Sequence, residues 1–150
     1  MNAGINPGYA DTGVMVKGYV LESDSEAAVR ILESIGEPLL YSHLHAIEIP
    51  NAIRLKRFRG EITKAQENAA NRAFLSDIES GVLTPCDYDL GEVFLLAERL
   101  SAKHSALIGS RSLDLLHVAA ALEAGATHFA SLDTRQRKIA SLNGLKILQD

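Results

Sequence analysis

The amino-acid sequence predicts an α/β protein, a mostly parallel central sheet with helices on both faces. Three observations predict it. Short apolar runs of three to six residues alternate along the chain with longer segments of helical period. Most of those helical segments reach ten residues or more, the length a crossover needs to return the chain to a parallel neighbour. The composition, 47% apolar and 23% charged, is that of a packed globular core and not of a disordered tail.

Taken in order, Gly8-Tyr9-Ala10 reads as the first strand. Ser23 or Asp24 can cap a helix through Ile35, with Val29, Leu32 and Ile35 on one face. Pro38 restarts the chain into a strand, Leu39–Tyr41. A helix follows from about Ser42 to Arg59 and ends at Gly60. Thr63 caps the next, with Glu67 near its start, and that helix runs to about Ser80 before Gly81. Val82–Cys86 is a strand. Asp89 opens a helix to about His104, in which Val93, Leu96, Ala97 and Leu100 are spaced i, i+3, i+4, i+7. Ser112 caps a helix reaching Ala124, stopped by Gly125. Thr127–Leu132 is a strand, Thr134–Leu142 a helix and Leu145–Leu148 a last short strand. The chain carries no repeat, low-complexity run or linker, so residues 1–150 read as one domain.

A chain of 150 residues is long enough to bury its own core but too short for a substrate domain beside a full dinucleotide-binding domain. One cysteine, Cys86, excludes an internal disulfide or a site needing two thiolates, and in a strand it packs as a small apolar residue. The first twenty residues do not read as a signal peptide, and no apolar run approaches the length of a bilayer span, so the expected location is cytoplasmic. A net charge of −4 is the wrong sign for a wholesale polyanion binder. The bases are clustered, however: Arg54, Lys56, Arg57 and Arg59 form one group, and Arg135, Arg137 and Lys138 another. Each group can grip a phosphate backbone or an acidic partner segment, although basic residues at a helix C-terminus also suit the helix dipole.

In such a sheet, function sits at the carboxyl ends of the strands. That rule selects Asp11 after the first strand and Asp133 after Thr127–Leu132. Glu48 lies in the opening turns of the helix after the second strand, and Asp114 in the first turn of the helix capped at Ser112. Four acids converging on one rim would repel one another unless cations neutralised them. Hard oxygen donors suit Mg²⁺ or Mn²⁺, and metal-assisted phosphoryl transfer is the chemistry they support best. An acid in a first helical turn is more often a cap, and Asp87 and Asp89 pass the same positional filter, so geometry alone leaves both readings open.

Four segments add a resemblance. Tyr9-Ala10-Asp11-Thr12 followed by Val14-Met15-Val16-Lys17 resembles the opening of PIN-domain ribonucleases. His45-Ala46-Ile47-Glu48 with Asn51-Ala52-Ile53-Arg54 is similar to their second motif, Arg111 through Ala119 to their third, and Ala130-Ser131-Leu132-Asp133-Thr134-Arg135-Gln136 to their fourth. All four stand in family order from Tyr9 to about Leu148, and within the family they look most like VapC-type toxins of toxin–antitoxin pairs.

The resemblance implies a PIN-like three-layer sandwich that binds Mg²⁺ or Mn²⁺ through Asp11, Glu48, Asp114 and Asp133 and cuts single-stranded RNA with a metal-activated water. It implies a small antitoxin protein as partner, and a homodimer. Thr12, Ser131 and His117 become candidates to hold the acids, His117 by facing Asp114 from the same helix face. Arg54, Lys56, Arg57, Arg59 and Arg135 become candidate RNA or antitoxin contacts. Two positions depart from the pattern. Gly13 stands where the family usually has Ser or Asn, and Pro50, two residues after Glu48, should kink its helix or mark where the regular helix begins.

Rival patterns are weaker. Asp11-Thr12-Gly13 is also the aspartic-protease triplet, but that fold is nearly all strand. A dehalogenase-like phosphatase needs a second Asp at position 13, which is Gly. His43 and His45 are spaced like zinc ligands without a third nearby. From a different class, the alternative to the nuclease is a catalytically silent PIN-fold module that binds RNA or protein.

Overall fold

In the computed structural model, which describes residues 6–35 and 37–148, five short strands form one sheet. They are β1 (Gly8–Ala10), β2 (Leu39–Tyr41), β3 (Leu83–Pro85), β4 (His128–Ala130) and β5 (Lys146–Leu148). Their order across the sheet is β3-β2-β1-β4-β5, and every pairing is parallel. The chain steps outward from β1 to β3, then crosses back to lay β4 on the other flank of β1. Ala10 pairs with Ala130, and the ladder continues one residue further as Asp11 N–H donates to the Ala130 carbonyl at 2.9 Å. The β1–β4 boundary is therefore the point where strand order reverses and the outgoing loops diverge.

Strand alternation divides the core in two. Tyr9, Leu40 and Phe129 face one way and pack with Val93, Leu115, Val118 and Ile139. These come from α5 (Leu90–Leu100), α7 (Ser112–Glu123) and α8 (Thr134–Leu142). Ala10 and Ala130 face the other way, against Val14, Ile31, Ile49 and Phe74. Those belong to α1 (Thr12–Val16), α2 (Ser25–Ile35), α3 (His43–Phe58) and α4 (Lys64–Glu79). Gly8 is required where α2 crosses β1, because a Cβ there would lie 1.9 Å from Ile35 Cγ2.

Capping chemistry sets several boundaries where the sequence predicts them. Ser42 accepts from His45 N–H and returns its own N–H to His45 Nδ1, a capping box. Thr63 with Gln66 repeats the device on α4, and Asp89 accepts from Glu92 N–H to open α5. The cap at Ser42 settles the question of Pro50: α3 begins at His43, and the proline lies in its interior. Pro50 has no N–H for the Ala46 carbonyl, but the helix runs on to Phe58.

Three local expectations are corrected. The residue that precedes α7 in extended conformation is Arg111, without a side-chain cap bond, and Ser112 is already helical. The buried face of α2 is Ala28, Ile31 and Ile35, while Val29 is exposed a turn-fraction away. The helix expected to stop near His104 continues through a π-turn at Ser101–Ser105 into α6 (Ala106–Ile108). It stops only at Gly109, the first residue able to take φ +80° without penalty.

Candidate active site

Asp11 ends β1 and caps α1. Its Oδ1 accepts from Val14 N–H at 2.9 Å and its Oδ2 from Ser131 Oγ at 3.1 Å. Burial pushes the Asp11 carboxyl above its ordinary range. The bonds from Val14 and Ser131 and the electrostatic attraction of His117 oppose that rise, and the Asp114 carboxylate adds to it. The two acids therefore feel each other across the β1–β4 boundary.

Asp133 caps α8, accepting at Oδ1 from Arg135 N–H at 2.8 Å and Gln136 N–H at 3.0 Å. Its own N–H donates to Ser131 Oγ at 3.0 Å. Ser131, fully buried, thus joins the loops carrying Asp11 and Asp133. Its single hydroxyl proton is shared between Asp11 Oδ2 and the buried Gln136 Oε1 at 2.6 Å, while Gln136 Nε2 donates to the Asp114 carbonyl at 3.1 Å. Asp114 makes no capping bond with its side chain. Its Oδ2 accepts from Arg111 Nε at 3.1 Å.

Glu48 projects from the second turn of α3, and Oε1 takes two bonds: from Thr12 Oγ1 at 3.0 Å and from His117 Nε2 at 2.5 Å. Partial burial pushes its carboxyl up. The hydrogen bond and electrostatic attraction of His117, with help from Thr12, outweigh this and hold it below the usual range. His117 shares a helix with Asp114 but bonds Glu48 and not Asp114. Its ring turns under β1 instead, buried, with Nδ1 2.6 Å from the Tyr9 hydroxyl, which is 2.9 Å from Ser42 Oγ.

His45 is no zinc ligand. Nδ1 is occupied by Ser42 N–H, Nε2 donates to the Ala10 carbonyl at 2.7 Å, and burial together with His117 pulls its pKa down to about 3. His43 is exposed and bonded to the Tyr88 hydroxyl. The all-parallel sheet excludes the aspartic-protease reading.

The acids reach one rim, but they are not assembled into a cage. Among the described residues no three of His, Cys, Asp or Glu stand close enough together to hold a metal ion. Glu48 is held by His117 and Thr12, Asp114 by Arg111, and Asp133 by the α8 backbone. The donor chemistry nevertheless fits a hard divalent cation, since every donor is a carboxylate oxygen and Asp11 is destabilised as an anion by burial and by Asp114.

The basic candidates separate. Arg135 lies beside the acids, its Nη1 3.4 Å from the Gly109 carbonyl, in a shallow open depression shared with Arg111, Leu132 and Asp133. Lys56 does not face solvent. It is buried and paired with Glu22 and Glu61, which takes it out of the candidate phosphate contacts. Arg57 and Arg59 are exposed, with Glu67 and Glu61 at 4.0 and 3.2 Å, and Arg54 is exposed. Sequence reasoning missed Tyr9, Ser42, Gln136 and Arg111 as members of the site. Tyr9 reads as a core aromatic and Ser42 as a cap, and only Arg111, three residues before Asp114, carried an i, i+3 signal.

The model of the PIN domain family matches residues 9–142. No curated protein matches the chain. Two solved structures share the fold. FitAcB from Neisseria gonorrhoeae is 15% identical with a TM-score of 0.62, over 95% of this chain and 96% of that one. VapBC2 from Rickettsia felis, bound to a DNA fragment from their promoter, is 16% identical with a TM-score of 0.65, over 94% and 96%.

Proposed function

This chain belongs to the PIN domain family, and we propose from that premise that it is a Mg²⁺- or Mn²⁺-dependent endoribonuclease acting as the toxin of a toxin–antitoxin pair. The observation that carries the proposal is the gathering of Asp11, Asp114, Asp133 and Glu48 on one rim: Ser131 bonds both the Asp11 carboxylate and the Asp133 N–H, Gln136 bonds the Asp114 carbonyl, and Thr12, next to Asp11, bonds Glu48. Asp11 and Asp114 would hold the cation, with Glu48 and Asp133 beside them. When bound, the metal supplies an acidified water and a positive charge for the pentacovalent phosphorane.

The protein's own groups do the rest. Val14 N–H and Ser131 fix the Asp11 carboxylate, and Gln136 fixes the turn carrying Asp114. Thr12 and His117 hold Glu48 as an anion. Arg111 and Arg135 supply positive charge where an RNA phosphate would enter. Arg111 must release Asp114 Oδ2 for that oxygen to become a ligand, and the freed guanidinium is then available to the substrate.

The likeness to FitAcB and to VapBC2 supports an antitoxin protein as partner. A second copy of the chain is part of the same proposal, and exposed Phe94, Leu107 and Leu113 offer apolar surface to such partners. Among the described residues no helix is long and apolar enough to cross a membrane.

One observation favours a second reading, a module that binds RNA or protein without cutting it: every acid of the rim already has an internal partner, and no three are in ligating position. Single-stranded RNA incubated with the chain and Mn²⁺, with EDTA as control, separates the two. The nuclease reading expects cleavage that EDTA abolishes. It also expects Mn²⁺ at about 100 times its dissociation constant to add about 2.7 kcal/mol of stability, several degrees in melting temperature. RNA binding without cleavage, and no thermal shift with Mn²⁺, would establish the silent module.

A further inference from the structure

We propose that Tyr9 is a positioning residue for Glu48, acting at a distance through His117 as the middle of a directed hydrogen-bond chain that runs Ser42, Tyr9, His117, Glu48. The proposal rests on the ribonuclease reading for its catalytic consequence, but its geometry is independent of it.

With His117 neutral and Glu48 ionised, donor and acceptor bookkeeping leaves the chain one polarity. Ser42 N–H can only donate, so His45 Nδ1 at 2.9 Å must accept. The Ala10 carbonyl can only accept, so His45 Nε2 carries the proton. With Nδ1 of His45 already engaged, the Ser42 hydroxyl is free to donate to the Tyr9 oxygen at 2.9 Å. Tyr9 then gives its own proton to His117 Nδ1 at 2.6 Å. That occupies the Nδ1 lone pair and puts the ring proton on Nε2, where it donates to Glu48 Oε1 at 2.5 Å.

Tyr9, Ser42 and His117 are all essentially fully buried, so no bulk water substitutes for a missing link. Tyr9 is itself immobilised, stacked on Phe129 at 5.8 Å with an interplanar angle of 5°, and edge-on to His117. Both bonds to Glu48, from Thr12 and from His117, land on Oε1, and no described residue bonds Oε2. The chain therefore fixes which tautomer His117 adopts, which carboxylate oxygen is restrained, and which is left to the reacting groups.

Tyr9→Phe removes the hydroxyl and keeps the stacked ring. The experiment uses the full chain, with the histidine side-chain nitrogens followed by ¹⁵N NMR, Mn²⁺ affinity by calorimetry, and RNA cleavage under steady-state conditions. Wild type should show His117 as a single Nε2–H tautomer, and Tyr9→Phe a mixture. Mn²⁺ affinity or kcat should fall by about 10–100-fold, the usual effect of removing a group that orients a ligand, with KM for RNA unchanged.

His117→Gln keeps an N–H donor toward Glu48 and disconnects Tyr9. In that background Tyr9→Phe should lower kcat by less than about 2-fold, because the two residues act in series. A wild-type His117 carrying its proton on Nδ1 would overturn the proposal. So would a Tyr9→Phe protein with an unchanged ¹⁵N pattern and Mn²⁺ affinity, or full additivity in the double variant. If even the wild type neither binds Mn²⁺ nor cuts RNA, the ribonuclease reading falls, and the tautomer measurement alone still decides whether Tyr9 directs His117.

Discussion

Replacing Asp114 by Asn removes one negative charge and keeps the side chain's shape. Asp11 and Asp133 are poorer targets, since each caps a helix through its carboxylate and a change there disturbs the backbone. Asp114 has only its bond to Arg111, whose side chain is 79% exposed, so the lost ion pair is worth at most about 1 kcal/mol. The loss of an acid from the first turn of α7 costs about 0.3–1 kcal/mol more. Relief of the repulsion with Asp11 works in the opposite direction. Stability without metal should therefore fall by no more than about 2 kcal/mol, or about 4–8 °C for a chain of this size. A ligand charge facing the developing phosphorane should be worth about 10²–10³ in kcat, by analogy with single groups that stabilise an anionic transition state. The assay is cleavage of a labelled single-stranded RNA at saturating Mn²⁺, with melting in EDTA measured alongside. Asp87→Asn, exposed and outside the rim, is the control and should cut at the parental rate. An Asp114→Asn protein as active as its parent would refute the assignment, and loss of helicity would mean a structural acid had been mistaken for a ligand.

Other outcomes follow from the packing and charges. Gly8→Ala should destabilise by about 1–3 kcal/mol because its Cβ would strike Ile35, and adding Ile35→Ala should recover part of the loss in a thermal melt. Glu22 is held below its ordinary value of 4.5 by its bonds to Lys17 and Lys56, so its stabilisation is present above that pH and is lost as pH falls through the lower folded value. Glu22→Gln should accordingly flatten the melting-temperature profile between about pH 6 and pH 3. Replacing Arg54, Arg57 and Arg59 by Ala should reduce the salt slope of RNA binding by roughly 0.7 per lost phosphate contact, and an unchanged slope would assign them to the solvated face.

Much of this molecule is legible in its sequence because capping and periodicity are local. Ser42, Thr63 and Asp89 announce their helices within three residues, Asp11 directly follows the end of β1, and Asp133 stands a short step beyond the end of β4, each as a helix cap. What escaped was set by residues far apart. Lys56 reads as one of four surface bases, yet it is drawn inward by Glu22, 34 positions earlier. Tyr9 meets Ser42 across 33 positions and His117 across 108, and no local pattern marks a core tyrosine whose hydroxyl must find a partner. Pro50 pointed the other way: its local rule is sound, but a capping box that starts eight residues upstream and the packing of Ile49 and Ile53 override it.

The strand order also governs when the acidic rim can form during synthesis. β1 is made first but is complete only when β4 lies beside it, and Asp133 follows that strand. At ribosomal rates of about 5–20 residues per second, the 122 positions from Asp11 to Asp133 take about 6–24 s to emerge. Until the end of that interval β1 lacks its β4 neighbour and Asp133 does not yet exist. The rim is therefore completed only as the last βα unit, β4 with α8, docks on β1.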